Sequence, residues 1–190
     1  MAALNSADWL RFAALALALG AIAAVLLYTV IAGVPPTPPG RRLRRALFSL
    51  LPADGEIDGV IYDLGAGWGG LALGLAARYR GFAVRGVELS PLPWLAARLR
   101  AMVVRPENLA FQRGDFFKYP LGDAGLVVCY LFPAEMARLE EKLACELAPG
   151  TPVLSLVFAF PTWKAERVVD VGDLYHSRVY LYRAPGPKEC

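Results

Sequence analysis

Val60-Ile-Tyr-Asp-Leu-Gly-Ala-Gly-Trp-Gly-Gly70 decides the fold. Val60 to Leu64 is a short apolar run that carries one acid, Asp63, near its end, and it reads as a buried strand. Gly65, Gly67, Gly69 and Gly70 follow, and a leucine- and alanine-rich helical pattern then runs from Gly70 to Arg80. A strand that breaks into a glycine turn and opens a helix starts an α/β unit, where ligands bind beyond the carboxyl ends of the strands. Glycine lets the backbone approach a ligand because no side chain stands between them. The spacing admits two readings: Gly65, Gly67 and Gly70 satisfy G-x-G-x-x-G, while Gly65, Gly67 and Gly69 satisfy G-x-G-x-G.

Outward from this stretch, strand and helix signals alternate. Leu43 to Leu51 predicts a short helix, Ala83 to Leu89 a strand, Pro93 to Val103 a helix, and Leu109 to Arg113 a short strand. Ala124 to Leu131 is a fully apolar strand. Pro133 to Leu147 is a helix with Met136, Leu139, Leu143 and Leu147 at helical spacing, its Glu140, Glu141 and Lys142 read as a solvated face. Thr151 to Phe160 is a further apolar strand. Glu166 to Val171 and Arg178 to Arg183 then read as two strands joined only by a loop. The expected fold is α/β: a Rossmann-like, mostly parallel sheet with an antiparallel C-terminal hairpin, preceded by one transmembrane helix.

That last element comes from the N-terminus. Phe12 to Val34 is a run of 23 residues without a charge, and about 20 apolar residues span a hydrocarbon core of roughly 30 Å as a helix. Trp9 and Tyr28 sit toward its ends, where interfacial aromatics are expected. The run exceeds a signal-peptide core, and Asp8 dilutes its basic start. Arg41-Arg-Leu-Arg-Arg45 follows, so the positive-inside rule places the later domain on the cytoplasmic side. The expected organisation is a transmembrane anchor over residues 1–34, a proline- and arginine-rich linker over 35–45, and a catalytic domain over 46–190. The expected location is a single-pass inner-membrane protein, with residues 12–34 in the lipid bilayer and the domain cytoplasmic.

The formal charge of +3 falls to −1 without Arg41, Arg42, Arg44 and Arg45, so no nucleic-acid partner is expected. Cys129, Cys145 and Cys190 lack Cys-x-x-Cys spacing and fit a reducing compartment, with Cys129 and Cys145 as buried thiols. His176 is the only histidine, which excludes histidine-rich metal centres; no metal is expected.

Three features favour S-adenosylmethionine over NAD at the glycine turn. Asp63 lies two residues before the first glycine, where a carboxylate engages a charged amino-acid group and would repel a pyrophosphate. Gly114-Asp115-Phe116-Phe117 follows the third strand, so Asp115 can accept from an adenine amino group while Phe116 covers the ring. The terminal hairpin departs from the parallel continuation usual in dinucleotide folds. Glu88, at the end of the second strand, can accept both ribose hydroxyls and suits either cofactor.

On these residues the chain resembles class I S-adenosylmethionine-dependent methyltransferases, whose D-x-G-x-G-x-G pattern is met by Asp63, Gly65, Gly67 and Gly69. The resemblance is closer to one subgroup, the small membrane-associated protein-lysine methyltransferases whose mitochondrial members modify ATP synthase subunit c and the adenine nucleotide translocase. Glu88-Leu-Ser-Pro-Leu-Pro-Trp94 is similar to that group's E-L-N-P-W-L. Pro133-Ala-Glu-Met-Ala-Arg-Leu-Glu-Glu-Lys-Leu143 resembles its proline-then-L-E-x-K-L helix, and Phe158-Ala-Phe-Pro-Thr-Trp163 its F-P-F-P-x-W. Trp68 stands where the group usually has an acid, and Ala159 replaces a proline.

The implied activity is S-adenosylmethionine-dependent N-methylation of lysine in a membrane or membrane-adjacent protein. The alternatives are a lipid or small-molecule methyltransferase, acting on an amine or quinone, and a non-catalytic cofactor-binding protein. For an amine acceptor, Tyr130, Phe132 and Trp163 are assigned to the channel wall, Pro133 to its shape, and Glu135 to the departing proton. The Asn or Asp that many amine methyltransferases carry after the fourth strand is missing from Tyr130-Leu-Phe-Pro133.

Overall fold

The computed structural model describes Asn5 and residues 8–17, 19–20 and 38–186. Asn5 and Asp8 cap each other reciprocally, the Asp8 amide donating to Asn5 Oδ1 at 2.9 Å and the Asn5 amide to Asp8 Oδ2 at 3.3 Å, which sets a helix start. Residues 8–17 and 19–20 are helical. Among the described residues, no helix is long and apolar enough to cross a membrane. The expected transmembrane helix is therefore corrected, and with it the single-pass membrane location that rested on it. Residues 18 and 21–34 of that apolar run lie outside the described residues.

From Pro38 onward a separate unit begins. Its elements are α1 (Arg41–Leu50), β1 (Val60–Leu64), α2 (Gly70–Arg78), β2 (Val84–Glu88), α3 (Pro91–Val104), β3 (Leu109–Arg113), β4 (Ala124–Cys129), α4 (Pro133–Glu146), β5 (Pro152–Leu156), β6 (Arg167–Asp170) and β7 (Arg178–Arg183). The sheet runs β3-β2-β1-β4-β5-β7-β6. β3, β2, β1, β4 and β5 are parallel; β7 is antiparallel to β5 and β6 to β7. The mostly parallel sheet and the terminal hairpin are as expected from the sequence. The order reverses between β1 and β4, which makes the carboxyl ends of these two strands the switch point.

Period-2 alternation divides the strands between two cores. Ile61, Leu126, Val128, Leu154 and Leu181 face α1 and α2, while Tyr62, Val127, Cys129, Val153 and Tyr182 face α4. α1 buries Leu43, Ala46, Leu47 and Leu50, spaced as one helix face, and starts two residues before the expected Leu43. Cys129 is a free, buried thiol, but Cys145 is disulfide-bonded, so the reduced-thiol expectation holds for Cys129 alone.

The fifth strand ends four residues before the expected Phe160. Val157 has φ +71°, a conformation that a β-branched residue rarely adopts. The Phe158 amide donates to Leu156 O at 2.9 Å across it, closing a three-residue γ-turn. An apolar run reads as strand, but this turn stops the ladder.

On the opposite edge, Asn108 Nδ2 lies within reach of Ala76 O at 3.2 Å, Tyr79 O at 2.9 Å and Phe82 O at 2.9 Å. These are carbonyls at and beyond the end of α2, where a helix leaves acceptors unsatisfied. Asn108→Ala removes their donor, and the expected outcome is a loss of roughly 1–3 kcal/mol of stability. Urea unfolding checks this, with a lowered midpoint at unchanged slope.

Candidate active site

Beyond β1 the chain turns on three glycines with positive φ: Gly65 at +72°, Gly67 at +51° and Gly69 at +79°. Two of them are also short of space. A Cβ on Gly65 would stand 2.6 Å from Leu131 Cδ2, and one on Gly69 would stand 2.6 Å from Phe111 Cζ and 2.8 Å from Ala97 Cβ. Gly65 thus lets the loop after β4 close onto the loop after β1, and Gly69 is the N-cap residue of α2.

Asp63, at the carboxyl end of β1, is 1 % exposed. Its Oδ2 has no hydrogen-bond partner. Burial is the main cause that pushes its carboxyl up to about 7, reinforced by the Glu88 charge and opposed by the Ala72 backbone amide. Glu88, at the end of β2, is also buried but fully tethered. Its Oε2 accepts from Gly67 N at 2.8 Å and its Oε1 from Ser90 N at 2.7 Å. Each carboxylate oxygen retains a free lone pair, so Glu88 is held at a set angle with acceptor capacity to spare.

Asp115 accepts from Phe117 N at 3.0 Å and caps a short 3-10 turn over Phe116–Lys118. Phe116 packs into the α4-side core, and Phe117 lies beside it, half-buried, with ring centroids 4.5 Å apart. Arg138 covers the Phe117 ring at 3.9 Å. The Gln112 Oε1 atom on β3 is, with Asp63 Oδ2, one of the two buried side-chain polar atoms without a partner among the described residues. Sequence reasoning missed Gln112; a polar residue inside a short strand was the available signal.

The residues that the sequence assigned to the acceptor side separate into groups. Phe132 is 40 % exposed and its ring lies 6.1 Å from Phe158, which joins the loops after β4 and β5. Pro133 opens α4, and Glu135 sits in its first turn. The Glu135 carboxyl is raised, first by burial, then by Asp115 and Glu88, against the pull of Arg138. It therefore senses carboxylates from β2 and from the loop after β3. Trp163, half-buried, belongs to a cluster with Phe160 at 5.2 Å and Tyr182 at 6.2 Å. Tyr130 packs instead toward the α1 and α2 core, away from the core that holds Phe158 and Trp163.

Glu140 was expected on a solvated face, and the structure corrects this. It is 5 % exposed and accepts from Trp163 N at 2.6 Å and Thr162 N at 3.0 and 3.2 Å. The helix pattern could not reveal it because its donors lie 22 and 23 residues onward.

An unpaired buried carboxylate calls for a cation or a donor, since burial without one is costly. Asp63 Oδ2, the tethered Glu88 and the open glycine turn suit a ligand with a cationic amino-acid end and a ribose. S-adenosylmethionine has both, and a pyrophosphate would meet the Asp63 charge unfavourably.

Comparison with known proteins agrees. Residues 63–167 match the family model of the ANTKMT methyltransferase domain. A protein-lysine N-methyltransferase of Saccharolobus islandicus is 29% identical over 157 residues, 78% of this chain and 92% of that protein. The mouse adenine nucleotide translocase lysine N-methyltransferase is 35% identical over 132 residues, 67% of this chain and 55% of that protein, so the chain spans about half of the mouse relative. The crystal structure of an RNA methyltransferase from Salinibacter ruber with S-adenosyl-L-homocysteine has 32% identity and a TM-score of 0.67, covering 81% of this chain and 96% of that one.

The Asp63 site has a calculable pH response. Its folded-state value of about 7 lies above the ordinary 3.8, so the free protein loses stability as pH rises through 7. Asp63→Asn should raise the melting temperature at pH 8, with the gain vanishing below about pH 4. Cofactor affinity should move oppositely: the wild type weakens roughly tenfold per pH unit below 7, while Asp63→Asn binds weakly at every pH. Thermal unfolding and titration calorimetry from pH 5 to 9 check both.

Proposed function

The chain belongs to the ANTKMT methyltransferase domain family and is an S-adenosylmethionine-dependent methyltransferase; we propose that its acceptor is the side-chain amine of a lysine in a protein. The observation that carries this reading is Glu135, a carboxyl with raised affinity for a proton, three residues beyond Phe132 and the aromatic contact it makes with Phe158. The relatives named for protein-lysine methylation support it. By likeness to the one named for adenine nucleotide translocase, we extend it to a protein substrate at a membrane.

On this reading, Asp63, Glu88 and the Gly65–Gly69 turn hold S-adenosylmethionine, with Asp115 and Phe116 at its adenine end. When bound, it supplies an electrophilic methyl group to an in-line nucleophile. The rest falls to the protein. A lysine amine, with an ordinary pKa of about 10.4, must arrive neutral, and apolar aromatic surroundings favour that form by desolvation. Phe132, Phe158 and Trp163 supply those surroundings, and Pro133 sets the angle at which α4 leaves the loop. Glu135 takes up the proton that the amine releases, and its partial burial, with Asp115 and Glu88 nearby, raises its affinity for that proton. Holding the amine in line supplies much of the acceleration. Tyr130, facing the opposite core, contributes to the loop rather than to this wall.

The test is transfer from labelled cofactor into a cell extract that is then separated into protein, lipid and RNA. Label on lysine in a protein band, found by mass spectrometry, is the expected result. Trp163→Ala should lower that transfer at least roughly tenfold with cofactor affinity within about twofold. Label confined to lipid, or to RNA as the name of the Salinibacter relative suggests, defeats the lysine reading.

A further inference from the structure

We propose that Glu140 is a positioning residue for the methyl acceptor: its buried carboxylate clamps the segment from Val157 to Trp163 and so fixes the aromatic wall. The inference rests on the acceptor-side reading given above.

Among the described residues, Glu140 makes no ion pair that would explain its burial. The basic residues of α4 are engaged elsewhere, Lys142 with Glu146 and Arg138 over the Phe117 ring. Its partners are backbone amides only, Thr162 N and Trp163 N. A buried carboxylate is costly unless well hydrogen-bonded, and bonds to an ionised acceptor are the strong ones. Tying down a surface loop does not require this, because a neutral acceptor would serve. A charge held at this cost has a function in the rigidity it confers.

The segment it holds is strained at its origin. Val157, in the γ-turn at the end of β5, occupies a conformation that persists only where its surroundings over-determine it. Those surroundings are present. Val157 N donates to Arg178 O at 2.8 Å, Ser155 Oγ to Phe158 O at 2.6 Å, and Phe160 N to the Tyr182 hydroxyl at 3.1 Å. Glu140 closes the far end. Between these anchors lie Phe158, which meets Phe132, and Trp163, which meets Phe160. The glutamate thus links α4, whose first turn carries Glu135, to the aromatic residues that Glu135 must work beside.

Glu140→Ala and Glu140→Gln test this. Gln retains an Oε1 for both amides but sets an NH2 group against Thr162 N, so its effect should be the smaller. The expected result for Glu140→Ala is cofactor affinity within about twofold of wild type, with acceptor kcat/KM down at least roughly tenfold through both kcat and KM; Gln restores part of it. A loss of cofactor affinity that accounts for the whole fall in rate makes Glu140 merely structural and overturns the proposal, as does unchanged acceptor kinetics. A second readout needs no acceptor. The fluorescence difference between each protein and its Trp163→Phe counterpart isolates Trp163, whose emission should shift red in Glu140→Ala. If wild type methylates no lysine, the acceptor reading fails alone; if the emission does not shift, the clamp fails alone.

Discussion

Asp63 is held out of water at the end of β1 with one carboxylate oxygen lacking any partner. In the free protein this group burdens the fold, since burial raises its pKa to about 7 and the charged form is disfavoured. On the reading proposed above, the same burden becomes binding energy once a cation arrives. Everything around it is arranged to keep the position available. β1 lies in the middle of the sheet between β2 and β4, so Asp63 cannot turn to solvent. The helix that follows starts only after a turn of glycines, where the missing side chains at Gly65 and Gly69 admit Leu131, Phe111 and Ala97, and a side chain at Gly67 would meet only the Gly65 carbonyl at 3.9 Å.

The site is assembled from pieces that limit one another. Gly67 donates to Glu88, so the glycine turn and the second carboxylate are set by a single bond of 2.8 Å. Gly65 accommodates Leu131, so the loop after β4 is placed by the loop after β1. That contact fixes where Phe132 and α4 begin, and with them Glu135. Cofactor and acceptor sides are therefore one structure built on the switch between β1 and β4, which is how an α/β sheet makes a crevice at a point of strand reversal.

The acceptor side depends on a different device. The ladder of β5 ends at a strained valine, and the chain beyond it crosses to α4, where Glu140 receives it. Strain at one end and a charge-assisted clamp at the other suit a wall that must hold its shape, because alignment of the reacting atoms supplies much of the catalysis.

The α/β alternation, the terminal hairpin and the glycine motif after β1 were legible in the residues because each is local. The alternation of strand and helix is a matter of hydrophobic period, and the stretch from Val60 to Gly70 joins a strand, a turn and a helix start within eleven residues, so Asp63 and the glycines stand out by spacing as candidates. What depends on distant contacts was not legible. Glu140, Glu141 and Lys142 look alike as a helix surface, yet the return of the chain at Thr162 and Trp163 caps the Glu140 carboxylate, Lys142 is largely covered in its pair with Glu146, and Glu141 alone of the three stays exposed. Thr151 to Phe160 looks like one strand, because nothing nearby announces that the Arg178 carbonyl and the Ser155 hydroxyl will stabilise a turn at Val157. Tyr130 and Trp163, grouped as one wall from their chemistry, pack on different cores: Tyr130, just past β4, meets the α1 and α2 side, and Trp163, in the loop between β5 and β6, meets the α4 side. The apolar N-terminal run was likewise judged on composition, and among the described residues it supplies no helix long enough to cross a membrane. Local pattern, which acts over one turn or one strand, determined the architecture and its cofactor motif; long-range packing, which decides what a charge or a backbone amide finally meets, determined the acceptor wall.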